Sequence, residues 1–412
     1  MRNIIRRTLT RFFFDCPVYW AWRPSMKVNR AQIIRNAAAK SFLANKPPLI
    51  KHSVRFLILL CWPLNSLRLG FIAMKRMGNI VEEETGKGLL RQFREFMPLA
   101  WLEFIPPRFY YLFRLFEEEQ MQKHNKFLFM GTFVPLFASL NTPQHIETVD
   151  NKVLFAEFCI RNNLPVPKTI AVFQNGKETG NNNWEEFVKK GEDFIVKPIS
   201  GARGQGFSLY NRKSQGIYQQ GDKEYDLDLL FEKLAKVSSK TPFLLQKRFR
   251  NHQGFKKFDN QYLITLRLVT YRDKAGDIRF FKGLLVIPRG KVNPVSEVWQ
   301  FPINTESGEV LPLTIKPMYQ EAREERSKFH QLFDTFKVPF WTEAIDLVLK
   351  GHNGLTGMWS LGWDVAICPE GPVLLETNIN WGTEPFERLY GLPMTETDFG
   401  ESLASLVQET SG

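Results

Sequence analysis

The spacing of hydrophobic residues changes near residue 149. Between residues 77 and 145 the spacing predicts helices, and Pro107 can occupy the first turn of one of them. The apolar face of that helix comprises Phe109, Tyr110, Phe113 and Phe116. This section of the chain is therefore predicted to be helical.

After Val149 the pattern favours a mixed structure. An amphipathic helix is predicted from Asp150, which would cap it, to Asn162, and Pro165 and Pro167 follow it. Short hydrophobic runs separated by glycine and proline then predict strands. The predicted strands are Thr169–Phe173, Phe194–Val196, Phe243–Gln246, Tyr262–Tyr271, Arg279–Ile287, Trp363–Cys368 and Val373–Thr377. The helices predicted between them are Asp226–Ala235 and Pro317–Phe336. The fold class is α+β, with a helical section in front.

The composition indicates how large a core the chain can bury and which cellular compartment suits it. With 412 residues, 43% of them hydrophobic, the chain can bury a substantial core and form more than one unit. The six histidines and the four cysteines are scattered, so neither a zinc site nor a disulfide framework is predicted. A reducing, cytoplasmic compartment fits this usage.

The positive charge is concentrated at the start of the chain. Residues 1–76 contain fifteen Lys and Arg and one acidic residue, Asp15, which gives +14. The remaining residues contain 40 basic and 42 acidic side chains, which gives −2. A basic, aromatic segment on a near-neutral body indicates an anionic membrane surface as partner and not nucleic acid.

Phe56–Met74 is the only run of membrane length. Pro63, Asn65, Ser66 and Arg68 interrupt it, which disfavours a spanning helix. A helix lying in the membrane interface is favoured, and a spanning helix and a core helix are the alternatives. Because the N-terminus has no clear signal peptide, we expect a cytoplasmic protein, peripheral on the inner face of the cytoplasmic membrane.

Two segments are candidates for nucleotide binding. A predicted strand delivers Lys197 to a loop that contains Gly201, Gly204 and Gly206. Glycines let backbone N–H groups approach phosphate oxygens, and an ammonium group adds positive charge, although an ordinary hairpin has the same pattern. The second segment, Leu244–Phe249, is a strand whose polar end could contact an adenine base through backbone groups, or simply end there.

The segment GWDVAICPEGPVLLETNIN predicts a hairpin that turns near Glu370. Glu376 and Asn378 share a face of the second strand, and Asp364 is expected opposite Glu376. Two carboxylates and an amide oxygen suit Mg²⁺, and the absence of His and Cys argues against zinc. The alternative is a solvent-facing polar stripe, but the consecutive Val373–Leu375 indicate strands buried on both faces.

Arg267 interrupts the predicted strand Tyr262–Tyr271, on the face opposite Leu266 and Leu268. A guanidinium group beside a magnesium site suits a phosphoryl or acyl-phosphate oxygen. A salt bridge on the strand surface is the alternative.

In this order the segments resemble the ATP-grasp superfamily, and more narrowly the sugar-transfer-associated ATP-grasp family of bacterial surface-polysaccharide synthesis. The superfamily likeness covers roughly residues 148–390, and the narrower one reaches back to about Gly88. The segments that carry it are LLRQFREF, PPRFYYLFRLF, DNKVLFAEFCIRNNLPVP, TLRLVTY and GWDVAI with GPVLLETN.

The resemblance assigns expected roles to matching residues. Lys152 and Lys197 would contact the phosphates of ATP, under the loop Gly201–Gly206, and Arg267 would act with Lys197 in catalysis. The residues implied to frame the adenine are Gln246, Lys247, Arg248 and Phe249. The residues implied to bind Mg²⁺ or Mn²⁺ are Asp364, Glu376 and Asn378. Many relatives have a glutamate at the position of Lys247. The sequence departs from the family pattern there, so the side-chain contact made by that glutamate is not expected of Lys247.

The resemblance implies an ATP-dependent ligase that joins a small-molecule carboxylate to an amine or a sugar-linked acceptor through an acyl phosphate. A non-catalytic membrane-associated scaffold and an ATP-dependent sugar kinase are the alternatives. The expected organisation is a basic segment over residues 1–76, a helical region over 77–147, an ATP-grasp domain over 148–395 and a C-terminal helix over 396–412.

Overall fold

A computed structural model describes residues 29–44, 47–129, 134–179, 184–200, 206–258, 260, 262–288, 298–311, 333 and 336–409. Most of the predicted helix Pro317–Phe336 lies outside these residues, as do Gly201 and Gly204.

The first part of the described chain is helical, as predicted. Its helices are α1 (Arg30–Leu43), α2 (Pro48–Thr85), α3 (Leu89–Glu103), α4 (Pro107–Leu112), α5 (Glu118–Gln122), α6 (Val134–Ser139) and α7 (Pro143–Asp150). Gly86 ends α2 in the left-handed conformation, at φ +70°, which glycine adopts without a steric penalty. The next helix, α3, returns antiparallel to α2: Trp62 Nε1 donates to Ala100 O at one end, and Gly78 meets Leu89 at the other.

The helix predicted to begin at Asp150 begins later. It is α8 (Lys152–Arg161), and its cap is Asn151, whose side-chain oxygen accepts hydrogen bonds from the N–H groups of Val153 and Leu154. Asp150 is instead the last residue of α7. The predicted Asp150 cap is therefore wrong, because Asn151 has the extended backbone from which a side chain can cap a helix.

A seven-stranded antiparallel sheet follows. Its strands are β1 (Thr169–Gln174), β2 (Lys177–Thr179), β3 (Phe194–Pro198), β4 (Ser208–Ser214), β5 (Ile217–Gln220), β6 (Lys223–Tyr225) and β7 (Phe243–Lys247), in the order β2-β1-β7-β3-β4-β5-β6. The helices that pack on it are α9 (Trp184–Lys190) and α10 (Leu227–Ser238). Phe173, Phe194, Tyr210 and Phe243 form the core of this lobe. Lys197 pairs with Leu244, on the opposite face from Phe194 and Val196.

A second sheet has five antiparallel strands. They are β8 (Thr265–Arg272), β9 (Ile278–Pro288), β10 (Val298–Ile303), β11 (Ser360–Cys368) and β12 (Gly371–Asn378), in the order β10-β9-β8-β11-β12. The last helices are α11 (Trp341–Gly354), α12 (Glu384–Tyr390) and α13 (Asp398–Glu409). Short 3₁₀ helices span Gln253–Phe258 and Met394–Glu396. The predicted α+β class and the predicted hairpin are confirmed.

The membrane-length run lies within α2, which contains Pro63. Across the described part of the chain, no helix combines the length and apolar character that crossing a membrane requires. The helix α2 continues through residue 76, where the sequence predicted a change of segment.

Candidate active site

Asp364 and Arg267 form the centre of the site. They are paired across β11 and β8, so their side chains leave the same face of the sheet. Arg267 Nε lies 2.8 Å from Asp364 Oδ1, and Arg267 Nη2 donates to Asp364 Oδ2 at 3.0 Å. Two parallel bonds fix the guanidinium plane, and no other protein bond to it is present in the described residues. This pairing leaves the Nη1 donors unused.

Glu376 lies opposite Asp364 on β12, as the hairpin pattern predicted. A bulge follows this pair, because Val365 is opposite Leu374 and leaves Leu375 as the extra residue. The bulge explains the three consecutive hydrophobic residues in a strand that otherwise alternates. Asn378 shares the strand face of Glu376, and its Nδ2 donates to Glu376 Oε1 at 3.5 Å.

Two lysines approach the carboxylates from outside the second sheet. Lys152, on the first turn of α8, has its Nζ 3.5 Å from Glu376 Oε2, and its backbone N–H donates to Ile199 O just after β3. Lys197 is at the end of β3 and interacts electrostatically with Glu376 and Asp364. Burial lowers the pKa of Lys197 to about 8, although the carboxylates favour its charged form.

The described end of the glycine loop is held close to β3. Gly206 has φ +79°, and a Cβ there would lie 2.8 Å from Pro198 Cγ. Both the conformation and the close approach require glycine.

The segment predicted to frame adenine ends the central strand of the first sheet. Gln246 is buried, and its Nε2 donates to Pro167 O. Lys247 pairs with Glu192 at 2.5 Å, and Arg248 donates to Asn211 Oδ1 at 2.6 Å and lies 3.4 Å from Asp193. These polar side chains bond within their own lobe, the backbone N–H of Arg248 donates to Asp193 O at 3.0 Å, and Phe249 is half-buried.

The two facing carboxylates have opposite pKa shifts. Burial, with the adjacent Glu376, raises the pKa of Asp364 to about 7 against the opposing effect of Arg267. Burial also acts to raise the pKa of Glu376, but Lys152 and Lys197 outweigh it and lower that pKa below its usual value. The two carboxyl groups of Asp364 and Glu376 therefore favour the arrival of a positive charge over the ionisation of both groups.

This donor set fits a hard divalent cation. Within the described residues, no group of three or more His, Cys, Asp and Glu is placed to hold a metal. The predicted set has two carboxylates and one amide, and each carboxylate oxygen that accepts one hydrogen bond retains a further lone pair. Mg²⁺ commonly takes one or two carboxylates and completes its shell with phosphate oxygens and water.

Sequence reasoning missed the groups that hold this sheet region in place. His352 Nδ1 lies 2.7 Å from Thr270 Oγ1, and Trp363, which precedes Asp364, donates from Nε1 to the same hydroxyl at 2.8 Å. His352 also contacts Met358 O through Nε2, at 2.9 Å. The three side chains belong to different elements, so no local pattern signals their contact.

The protein has two α+β lobes, and lysines from outside the second sheet face a row of Arg, Asp and Glu on that sheet. This combination of fold and site defines an ATP-grasp protein. The sugar-transfer-associated ATP-grasp family matches residues 134–396. The chain belongs to that family.

Two solved structures are distantly similar to the chain. The crystal structure of N5-carboxyaminoimidazole synthetase from Staphylococcus aureus complexed with ADP is 12% identical, with a TM-score of 0.34, and the match covers 58% of this chain. This chain spans about half of that enzyme, since the match covers 46% of it. D-alanine–D-alanine ligase from Bacillus anthracis is 13% identical, with a TM-score of 0.38, over 66% of this chain and 72% of that chain. No curated protein matches the sequence.

Proposed function

We propose that the protein is an ATP- and magnesium-dependent ligase, which activates a carboxylate as an acyl phosphate and joins it to an amine or similar acceptor. The observation that supports this most directly is the meeting of Lys152 and Lys197 with Glu376, Asp364 and Arg267. This arrangement combines cations for phosphate oxygens with carboxylates for a metal that binds them.

The nucleotide side would work by positioning. Lys152 and Lys197 would bind the terminal phosphates of ATP, and the loop before Gly206 would cover them. Asp364, Glu376 and Asn378 would hold Mg²⁺ or Mn²⁺, which when bound offsets phosphate charge and orients the γ-phosphoryl group. Backbone groups of Gln246–Phe249 would contact the adenine.

The chemical steps follow from that placement. An oxygen of the substrate carboxylate attacks the γ-phosphorus, the bond to the ADP oxygen breaks, and an acyl phosphate forms. The acceptor amine then attacks the carbonyl carbon, phosphate leaves, and the nitrogen loses a proton to solvent. Arg267, aligned by Asp364, would stabilise the charge on the acyl-phosphate oxygens through Nη1.

The family description and the charge distribution support a setting for this reaction. The association of the family with sugar transfer supports a sugar or polysaccharide precursor as the acceptor. The charge of +14 over residues 1–76 supports peripheral attachment to the inner face of the cytoplasmic membrane. In surface-polysaccharide synthesis, the sugar-linked acceptor and the membrane surface would be found together.

The decisive experiment measures ADP release with magnesium across a panel of amino acids and uronic-acid sugars, with product analysis by mass spectrometry. Asp364→Asn and Glu376→Gln are expected to lose substrate-dependent ADP release. Glu370→Gln, in the exposed turn of the same hairpin, is the matched control and should retain it.

The products separate the proposal from its alternatives. An amide with ADP and phosphate supports the ligase. A phosphosugar with ADP identifies a kinase instead. Equal residual ADP release by wild type and both site variants on every substrate would leave a non-catalytic scaffold as the function.

A further inference from the structure

The outer surface of α2 and α3 carries an unusual concentration of exposed apolar side chains. Of the fourteen large hydrophobic residues exposed in the described part of the chain, five are on α2 and four on α3. They are Phe56, Leu60, Leu64, Phe71, Ile72, Leu89, Leu90, Trp101 and Leu102. Exposed apolar residues gathered in this way, and not scattered singly, indicate a contact surface.

Five exposed residues of α2 form a stripe that mixes apolar and basic side chains. Leu60, Leu64, Arg68, Phe71 and Lys75 recur at spacings of three and four, so they lie along one side of the helix. Leu64 is 73% exposed and Phe71 is 60% exposed. The opposite side of α2 is buried in the core of the helical region through Ala73, Met77 and Val81.

A groove adds apolar area beside the stripe. Its volume is about 370 Å³, and its lining residues are Leu59, Trp62, Pro63, Trp101 and Phe104. Trp101 donates its indole N–H to Ser66 Oγ at 3.1 Å, while the residue is 45% exposed. A tryptophan with a bonded N–H and an open ring suits the boundary between water and lipid.

The charge of this surface indicates whether its partner is a membrane or a second copy of the chain. Residues 48–77 contain five basic side chains and no acidic one, whereas Glu82, Glu83 and Glu84 follow at the other end of α2. Two copies meeting through this stripe would bring like charges together, but anionic lipid headgroups complement them. Apolar side chains between basic ones are the pattern of a helix lying in the interface.

We propose that the stripe Leu60–Leu64–Arg68–Phe71–Lys75 and the groove beside it are the surface that docks on an anionic bilayer, with α2 parallel to the membrane plane. This inference rests on the proposed peripheral location and adds the surface that makes the contact. The apolar side chains enter the acyl region, and Arg68 and Lys75 bind headgroup phosphates.

The test is co-sedimentation of the full chain with vesicles of phosphatidylcholine alone and of phosphatidylcholine with phosphatidylglycerol. Wild type should partition onto the anionic vesicles. The double variant Leu64→Glu/Phe71→Glu should lose about tenfold or more of that partitioning, and Arg68→Glu/Lys75→Glu should lose a similar amount at low salt. The control is Leu229→Glu/Val237→Glu, which changes two exposed apolar residues of α10 and should bind as wild type.

Binding of an ATP analogue and the thermal midpoint, measured on each variant, show that the fold is retained. If wild type binds the vesicles and Leu64→Glu/Phe71→Glu binds equally well, the docking surface is elsewhere and this inference is wrong, while the peripheral location stands. If wild type does not bind, the location fails too, and the ligase proposal is judged separately by ADP release. If the variant only converts a dimer to a monomer, the stripe contacts a second copy.

Discussion

The carboxylate of Glu387 accepts hydrogen bonds from the backbone N–H of Leu128, at 2.8 and 3.0 Å, although 259 residues separate the two in sequence. It also accepts from the N–H groups of Phe129 and Met394, at 3.2 and 3.1 Å. Glu387 is completely buried on α12 and therefore ties the helical region to the second sheet's helices. Burial raises its pKa to about 7, and the three N–H groups and Arg35 only partly offset this effect.

This raised pKa predicts how stability depends on pH. Because the folded pKa of Glu387 lies above its usual value of 4.5, the stability linked to this group is complete below pH 4.5 and is lost as pH rises to about 7. The loss is roughly 3 kcal/mol for a shift of this size. Glu387→Gln should lack this part of the pH dependence, measured by denaturant unfolding across that interval.

The amide of Glu387→Gln has one acceptor oxygen, so the variant should also be less stable at low pH, by about 1–2 kcal/mol. Glu384→Gln, on the same helix, is the control and should keep the wild-type pH dependence. Parallel stability curves for wild type and Glu387→Gln would contradict the prediction.

The paired bonds between Arg267 and Asp364 predict a cost for even a conservative change. Lysine cannot make both bonds or hold a planar group toward the substrate, so Arg267→Lys should lower the rate of ADP formation by about 10²-fold. Binding of MgATP should change far less, because the loss concerns the reacting oxygens. Arg279→Lys, an exposed position on β9, should retain full activity. Loss of nucleotide affinity alone, with an unchanged rate, would mean that Arg267 only helps hold ATP.

The lowered pKa of Lys197 predicts a pH effect on nucleotide binding. As pH rises through about 8 the ammonium group loses its proton, so the affinity for a non-hydrolysable ATP analogue should fall between neutral pH and pH 9, by about severalfold. Lys197→Met should bind more weakly at neutral pH and show a flatter profile by calorimetry. Lys213→Met, at the exposed ion pair with Glu224, should follow wild type. A wild-type affinity that stays constant through pH 9 would remove Lys197 from phosphate binding.

The close approach of Gly206 to Pro198 predicts that a side chain at this position lowers stability for two separate reasons, the backbone conformation and the lack of space. Gly206→Ala and Gly221→Ala both place a side chain at positive φ, which costs roughly 1–2 kcal/mol. Only Gly206→Ala also meets another residue, because nothing lies within 4 Å of a Cβ at Gly221. Unfolding should therefore show the larger loss for Gly206→Ala, and only this variant should weaken nucleotide binding. Equal losses in both measurements would show that the contact with Pro198 is not limiting.

The sequence predicted those parts of the fold whose hydrophobic spacing is local. The hairpin around Glu370 and the pairing of Asp364 with Glu376 followed from strand periodicity and a turn of proline and glycine. The strands β2, β4, β5, β6 and β10 were not predicted. Segments such as Ser208–Ser214 are mostly polar and form strands only beside their neighbours, and β10 is interrupted by Pro302.

The unpredicted parts of the site and of the fold depend on contacts between distant segments. The bond from the Lys152 N–H to Ile199 O, and the burial of Glu387 against Leu128, join residues that no sequence spacing relates. The bulge at Leu375 was visible only as a break in alternation, and its position depends on the pairing partner. The proposed roles of the site residues remain predictions for the experiments above.

That bulge also has a consequence for how the hairpin can change over evolution. A single extra residue resets which side chains face inward, so the half of β12 that carries Glu376 is uncoupled from the half that carries Leu374 and Val373. Substitutions that repack the inner half need not turn Glu376 away from Asp364. Deleting Leu375 would restore regular alternation, with Leu374 still opposite Val365 and Glu376 still opposite Asp364, so neither exchange nor loss of this residue need turn Glu376 from its face.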